Sequence, residues 1–305
     1  MTLKILSGSA NGTLAENVAG KLGAQVVRRI LDRFPDGELH IELQESVRGD
    51  DVFIVQPTCP PVDEHLFELL LMADACRRNG AASLTAVVPY FGYARQDRRS
   101  RGREPLSARL IADLISASGL QRVMAVDIHS RAVESAFAVP FEHLSAVPLL
   151  AEVVRPSLNG NTVIVSPDLG AVKLAEHYAG LLDLPMAIIH KTRISGEQVK
   201  VQRIVGDVCD KEVLVIDDMI STGGTIQKAI TALLEAGCSP TGIKVSATHA
   251  LLVGAAAERL GKLPIEKIYI SDSVPTPEQF PLTLQVSSLA LLLAETIQRI
   301  HGKES

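Results

Sequence analysis

The segment Glu212-Val-Leu-Val-Ile-Asp217-Asp218-Met-Ile-Ser221-Thr222-Gly223-Gly224-Thr225 has the residue types of a site for phosphate and polyol. An apolar run ends in two acids, and a turn rich in hydroxyls and glycine leads into a helical pattern. Glycines let a backbone come close to a phosphate, N–H groups at a helix start point toward it, and the hydroxyls of Ser221, Thr222 and Thr225 add donors. Asp217 and Asp218 would repel a phosphate, but they accept hydrogen bonds from sugar hydroxyls. Phosphate and polyol side by side describe a phosphorylated sugar. The plain alternative is a tight strand-to-helix turn with Asp and Ser caps. Paired acids at the carboxyl end of a buried strand weigh against it, because open α/β sheets bind ligands there. Neither G-x-x-x-x-G-K-[ST] nor G-x-G-x-x-G follows any strand, so if the protein handles nucleotides it does so by another device.

Other groups with chemical potential are scattered along the chain. The run from Tyr93 through Arg95, Gln96, Asp97, Arg98 and Arg99 to Arg101 and Arg103 is the densest basic stretch. No stacking aromatics follow Tyr93, so polyphosphate suits it better than nucleic acid. Lys191 and Arg193 follow an apolar strand and precede a polar stretch with a glycine; a solvated basic turn is the ordinary reading of such a pair. Asp127 and His129 alternate at a strand end and so face one side. His129, taken alone, reads as a hydrogen-bonded structural histidine, since Mg²⁺ prefers oxygen ligands. Asp168, after Pro167, reads as a cap for the helix from Ala171. Phe34-Pro35-Asp36-Gly37-Glu38 reads as a turn between strands.

Short apolar runs alternate with segments of helical period, which predicts an α/β protein with largely parallel sheets. Strands are expected at Leu3–Leu6, Val52–Gln56, Leu84–Val88, Val123–Asp127, Thr162–Ser166, Met186–Ile189, Glu212–Ile216, Gly242–Ala247 and Lys267–Ile270. Thr13 to Glu16 has capping-box spacing. Asp63 and Ser107 open further helices, the first closed by Asn79-Gly80 and the second ending near Gly119. Helices also start at about Ala171, Thr225 and Gly254. A change-over is expected near Ala146–Pro156, where two prolines bracket a short helix.

The 305 residues suit two domains at roughly 150 residues each. Their 47% hydrophobic content argues against disorder, and the net charge of −5 argues against a broad nucleic-acid face. No run reaches the ~18 apolar residues of a membrane span, and the N-terminus lacks a signal-peptide pattern, so a cytoplasmic location is expected. Cys59, Cys76, Cys209 and Cys238 form neither a C-x-x-C pair nor a ligand-like spacing with His, and read as buried thiols.

An ordered set of motifs narrows the reading: SGSANG at 7–12, RFPDGE at 33–38, ESVRGDDVFIVQPT at 45–58, PYFGYARQDR at 89–98, DIHS at 127–130, VSPD at 165–168 and GDV at 206–208, followed by the acid-and-glycine loop. That loop resembles the phosphoribosyl diphosphate (PRPP) motif of type I phosphoribosyltransferases. The whole set resembles the ribose-phosphate diphosphokinase (PRPP synthetase) family, over nearly the full chain. The resemblance implies two tandem type I phosphoribosyltransferase-like domains, 1–146 and 147–305, each a mainly parallel sheet flanked by helices. The implied reaction is Mg²⁺-dependent transfer of the diphosphoryl group of ATP to the anomeric hydroxyl of ribose 5-phosphate, giving PRPP and AMP. It assigns Lys191 and Arg193 to a catalytic flexible loop, Phe34, Asp36, Gly37, Glu38, Arg95 and Gln96 to ATP, and His129 and Asp168 to metal. Arg193, Asp217, Asp218, Ser221, Thr222, Gly223, Gly224 and Thr225 are implied to hold ribose 5-phosphate. Phe34 is implied to reach a neighbouring subunit's adenine, so that a homo-oligomer, at least a dimer and up to a tetramer or hexamer, shares its ATP site.

Three features depart from the best-known branch. Ser221 stands where many members have Asp, Leu169-Gly170-Ala171 with Leu174 departs from the family's VSPDxGGxxR at the second Gly and the Arg, and Arg131, Ala132 and Glu134 replace a Gln-rich stretch. Gly302–Ser305 also stops short of a tail that contributes to that branch's allosteric site. ADP inhibition and phosphate activation are therefore not carried over. Two rival readings are a non-catalytic nucleotide-binding regulator and a transferase that consumes PRPP; the second leaves PYFGYARQD and DIHS without a role.

Overall fold

Continuous β-branched and apolar runs such as Asp51–Val55 (DVFIV), Thr162–Ser166 (TVIVS) and Ile243–Ala250 (IKVSATHA) are buried throughout, as strands covered on both faces must be. The computed structural model describes residues 1–99, 102–193 and 200–302; Ser100 and Arg101 lie outside them, as do the side chains of residues 191–202. The chain divides into two compact units. Unit 1 is Met1–Ser145 with Ser273–Pro275 and Ser288–Ser305, and unit 2 is Ala146–Asp272 with Thr276–Ser287.

Unit 1 contains β1 (Leu3–Ser7), α1 (Gly12–Leu22), β2 (Arg29–Arg33), β3 (Leu39–Leu43), β4 (Asp51–Val55), α2 (Val62–Arg78), β5 (Ser83–Val88), α3 (Ser107–Ala117), β6 (Arg122–Val126) and β7 (Phe141–Leu144). Strands β1-β4-β5-β6-β7 form one parallel sheet, and β2 with β3 form a separate antiparallel hairpin. Helix α2 turns Leu66, Leu69, Met72, Ala73 and Cys76 into the cluster that holds Val52, Ile54, Leu84, Ala86 and Val88. Its acids Asp63 and Glu64 sit in the first turn and Arg77 and Arg78 in the last, complementing the helix dipole.

Unit 2 contains α4 (Val147–Val154), β8 (Thr162–Ser166), α5 (Val172–Leu182), β9 (Met186–Arg193), β10 (Lys200–Val205), β11 (Glu212–Ile220), α6 (Gly224–Glu235), β12 (Ile243–Ala250), α7 (Ala256–Gly261), β13 (Ile265–Ser271) and β14 (Leu284–Ser287). Its seven-stranded sheet has the order β10-β9-β8-β11-β12-β13-β14, parallel except for β10 against β9. From β8 the chain moves outward to β9, and from β11 it moves the opposite way to β12. The carboxyl ends of β8 and β11 therefore flank a topological switch point, the place where open α/β sheets bind ligands.

Several expectations need correction. Helix α1 is capped by Asn11, whose side chain accepts the Leu14 N–H at 3.1 Å, so Thr13–Glu16 lies inside the helix and forms no capping box. An amide oxygen one residue before the helix reaches the third N–H directly, which Thr13, already helical, cannot do. Helix α2 begins at Val62 after Pro61, without a side-chain cap from Asp63. Strand β6 stops at Val126, and Asp127 takes φ +37°, so strand alternation does not place Asp127 and His129 on one face. Cys209 is exposed, unlike the other three thiols. The last helix, α8 (Ala290–Gly302), falls within unit 1. It buries Leu293, Ala294 and Ile297, and His301 Nδ1 lies 2.8 Å from the Asp51 carboxylate.

Candidate active site

The acid-and-glycine segment sits at the unit 2 switch point. Pairing of β11 with β8 ends at Val215↔Val165, while pairing with β12 continues to Ile220↔Ala250. Asp217 and Asp218 therefore lie within β11, beyond the reach of β8, on a stretch with one open edge. The strand runs four residues past its expected end at Ile216 because β12 goes on bonding to it.

The turn after β11 is held from one side by successive bonds. The Leu252 N–H donates to the Ile220 carbonyl and the Val253 N–H to the Ser221 carbonyl, both at 3.0 Å. Arg259 Nη1 donates to the Thr222 carbonyl at 2.9 Å. Gly223, at φ +73°, forms the N-cap of α6 and offers no capping side chain. The first intrahelical bond runs from the Gln227 N–H to the Gly223 carbonyl at 2.9 Å, so the N–H groups of residues 223–226 have no partner within the helix. A Cβ on Gly223 would stand 3.0 Å from Leu260 Cγ, whereas one on Gly224 would meet nothing nearer than Thr222 Oγ1 at 3.7 Å. Sequence reasoning missed this strap of residues 252–260. It lies thirty residues downstream, and only the β11–β12 pairing carries it back to the turn.

The acids are electrostatically strained. Burial, then the charge of Asp218, pushes the Asp217 carboxyl up to about 8, and Asp168 adds to the effect. Asp168 follows β8, and its carboxylate accepts the Gly170 N–H at 2.9 Å. Helix α5 is capped by Ala171 without a side-chain bond, so Asp168 closes a short turn before the helix and does not cap it. The negative charge around Asp217 favours a bound cation or a cluster of hydroxyl donors, either of which relieves the repulsion. Among the described residues no three His, Cys, Asp or Glu side chains are gathered as a ready-made metal cage. Mg²⁺ is held by one or two carboxylates together with substrate oxygens and water, and these acids fit that role.

Lys191 and Arg193 belong to strand β9 by their backbone, paired with Gln202 and Lys200 of β10; their side chains lie outside the described residues. The expected strand end at Ile189 was too early because β10, a polar partner, extends it.

In unit 1, Phe34 to Glu38 is the turn of the β2–β3 hairpin. The Phe34 N–H donates to the Glu38 carbonyl at 2.9 Å, and the Asp36 carboxylate accepts the Glu38 N–H at 3.1 Å. Gly37 takes φ +96°. The Phe34 ring is 49% exposed and rests against His40 at 4.9 Å between centroids. Arg95 and Gln96 follow β5 and are exposed, and Gln96 Oε1 accepts the Ser107 hydroxyl at 2.7 Å at the start of α3. His129 is exposed in the bend after β6.

A family model described as the N-terminal domain of ribose phosphate pyrophosphokinase matches residues 3–119, and one described as a phosphoribosyl transferase domain matches residues 148–277. The ribose-phosphate pyrophosphokinase of Gloeobacter violaceus is 43% identical over 306 residues, covering 99% of this chain and 91% of its own. The chain belongs to the ribose-phosphate pyrophosphokinase family. Ribose-phosphate pyrophosphokinase 1 of Spinacia oleracea, another pyrophosphokinase, is 43% identical over 98% of this chain and 90% of its own. A crystal structure of phosphoribosylpyrophosphate synthetase from Mycobacterium smegmatis matches with TM-score 0.92 at 38% identity, covering 99% of this chain and 100% of that one. The chain is thus a pyrophosphokinase that synthesises PRPP. A PRPP-consuming transferase would account for the second unit alone and leave the first unit's pyrophosphokinase match unexplained.

Proposed function

We propose that ATP is the diphosphoryl donor, that Mg²⁺ assists, and that ribose 5-phosphate binds with its phosphate on Ser221, Thr222, Gly223, Gly224 and Thr225. The observation that carries this reading is the turn at residues 221–226, whose helix-start N–H groups stand beside two acids at a switch point. The N–H groups and hydroxyls bind the phosphate, and Asp217 and Asp218 accept from the ribose hydroxyls. In the reaction the anomeric oxygen bonds to the β-phosphorus of ATP and loses its proton. The bond from that phosphorus to the oxygen bridging the α-phosphate breaks, and its electron pair leaves with AMP. Lys191 and Arg193 hold cationic charge against the transferring group, where charge redistributes in the transition state. Arg95, Gln96, Phe34, Asp36, Gly37 and Glu38 hold ATP. His129 would hold the Mg²⁺ associated with ATP, which would supply charge neutralisation on the polyphosphate, and Asp168 would hold metal near the ribose. Phosphorus resonances of the protein with ribose 5-phosphate, ATP and Mg²⁺ test the reading: AMP and PRPP are expected, and ADP or no reaction overturns it.

The exposed Phe34 ring at a hairpin tip supports a shared ATP site and a homo-oligomer of at least two chains. Mixing and re-associating a Phe34→Ala variant with a Lys191→Ala variant is expected to recover activity that neither has alone. Mixtures no more active than their parts would put the whole ATP site in one chain. A cytoplasmic location accords with a nucleotide-precursor enzyme in which no described helix is long and apolar enough to cross a membrane.

The raised Asp217 pKa gives a stability test. An acid whose folded pKa lies near 8 rather than 3.8 costs the fold nothing below the lower value. The cost grows as pH rises toward 8 and is complete above it. Asp217→Asn is therefore expected to raise the thermal midpoint at pH 8.5, with the gain fading toward pH 5, while catalysis falls. An equal shift at both pH values, followed by calorimetry, would count against the buried acid pair.

A further inference from the structure

We infer that Arg259 is a positioning residue for the sugar-phosphate turn, fixing the direction of its N–H donors and setting affinity for the phosphate of ribose 5-phosphate. The inference rests on the reading above that places this phosphate on residues 221–225. Three consecutive peptide units are tied through their carbonyls: Ile220 by the Leu252 N–H, Ser221 by the Val253 N–H and Thr222 by the Arg259 guanidinium. A trans peptide is planar, with its N–H directed opposite to its C=O. Holding those three carbonyls on the strap side therefore sends the N–H groups of Ser221, Thr222 and Gly223 to the other side. There they supplement the donors of the first turn of α6.

The third tie differs from the other two. Leu252 and Val253 act through the backbone, which any residue but proline supplies. The Thr222 carbonyl is held by a side chain, and that side chain is charged. Bonding to a cation polarises the peptide and strengthens its own N–H, here that of Gly223, as a donor. Arg259 Nη1 also stands 4.0 Å from where a Gly224 Cβ would be, so its charge lies at the first turn of α6. Glu258, its neighbour in α7, is paired with Lys262 at 2.6 Å. Among the described residues no carboxylate lies within ion-pair distance of the Arg259 guanidinium. Its charge thus lies beside the turn with no acid in ion-pair contact, while Glu258 interacts with it electrostatically from the adjacent position. Leu260, the next residue, packs on Gly223, so one short helix supplies both the steric floor of the turn and its charged clamp.

Steady-state kinetics of Arg259→Met and Arg259→Lys, beside Thr225→Ala as a control on the turn, test this. Arg259→Met keeps the apolar stem. It is expected to raise KM for ribose 5-phosphate about tenfold, with kcat and KM for ATP within twofold. Arg259→Lys, with a single-point charge in place of a planar fork, is expected to recover part of the loss. An unchanged KM in Arg259→Met, with a raised KM in Thr225→Ala, overturns the role of Arg259 and leaves the phosphate site standing. Unchanged KM in both removes the phosphate site and the inference together. Losses in kcat and both KM values that track a drop in thermal midpoint, with no recovery by Lys, mark Arg259 as structural only and also overturn the inference.

Discussion

Lys191→Ala is expected to lower kcat by about two to three orders of magnitude while leaving ATP affinity within a few-fold. Removing one preorganised donor from a group that develops charge costs about that much. The transferring β-phosphoryl group offers the protein little covalent chemistry, so fixed cations carry much of the burden. Lys191 lies on β9 and pairs with Gln202 of β10, in an antiparallel arm that continues the strand past the sheet's core. The base of this arm is anchored by Ile189, which is fully buried. AMP formation measured by coupled assay, with ATP affinity from equilibrium titration, separates the outcomes. Turnover within fivefold of the parent would remove Lys191 from the chemistry. Loss of ATP affinity in proportion to turnover would make it a ground-state ligand.

Gly223→Ala is expected to weaken ribose 5-phosphate binding by at least tenfold, and Gly224→Ala to do much less. Gly223 holds φ +73°, where an L-residue pays roughly 1–2 kcal/mol. Its new Cβ would also stand 3.0 Å from Leu260 Cγ and 3.2 Å from Leu260 Cδ2, in a buried contact that must give way. Leu260 is fully buried, so it has little room to retreat, and overpacking of this sort costs about 1–3 kcal/mol. The turn relieves the strain by moving, and the N–H groups of residues 223–226 move with it. At Gly224 the nearest atom to a new Cβ is 3.7 Å away, an ordinary contact. Equal penalties in the two variants, read from KM for ribose 5-phosphate, would show that the turn does not bind through its fixed backbone.

Strands buried on both faces were legible because β-branched runs such as Thr162–Ser166 have no polar register to confuse them. The edge strands β7 and β14 were not. Phe141–Leu144 is half-buried along its length, and Leu284–Ser287 alternates only weakly, so neither stands out from a loop. Helix α1 was found and its cap misplaced, because Asn11 and Thr13 are both good capping residues and only the backbone conformation at Asn11 decides between them. The position of α8 in unit 1 has no local signature: its apolar face would suit either unit, and packing against α1 and the Asp51–His301 contact settles it.

The sequence alone determined the α/β rhythm, the acid-and-glycine turn and the family, because each is written in contiguous residues whose order survives without coordinates. The tertiary structure decided what distance along the chain conceals. Asp168 comes within electrostatic reach of Asp217 because parallel pairing sets β8 beside β11. Residues 252–260 return to brace the turn because β12 runs beside β11 as far as Ala250. Two adjacent glycines that read alike in sequence became unlike once Leu260 lay under one of them. Parallel sheets bond strands that are far apart in sequence, so a site built at their carboxyl ends draws its supports from segments that no local pattern connects.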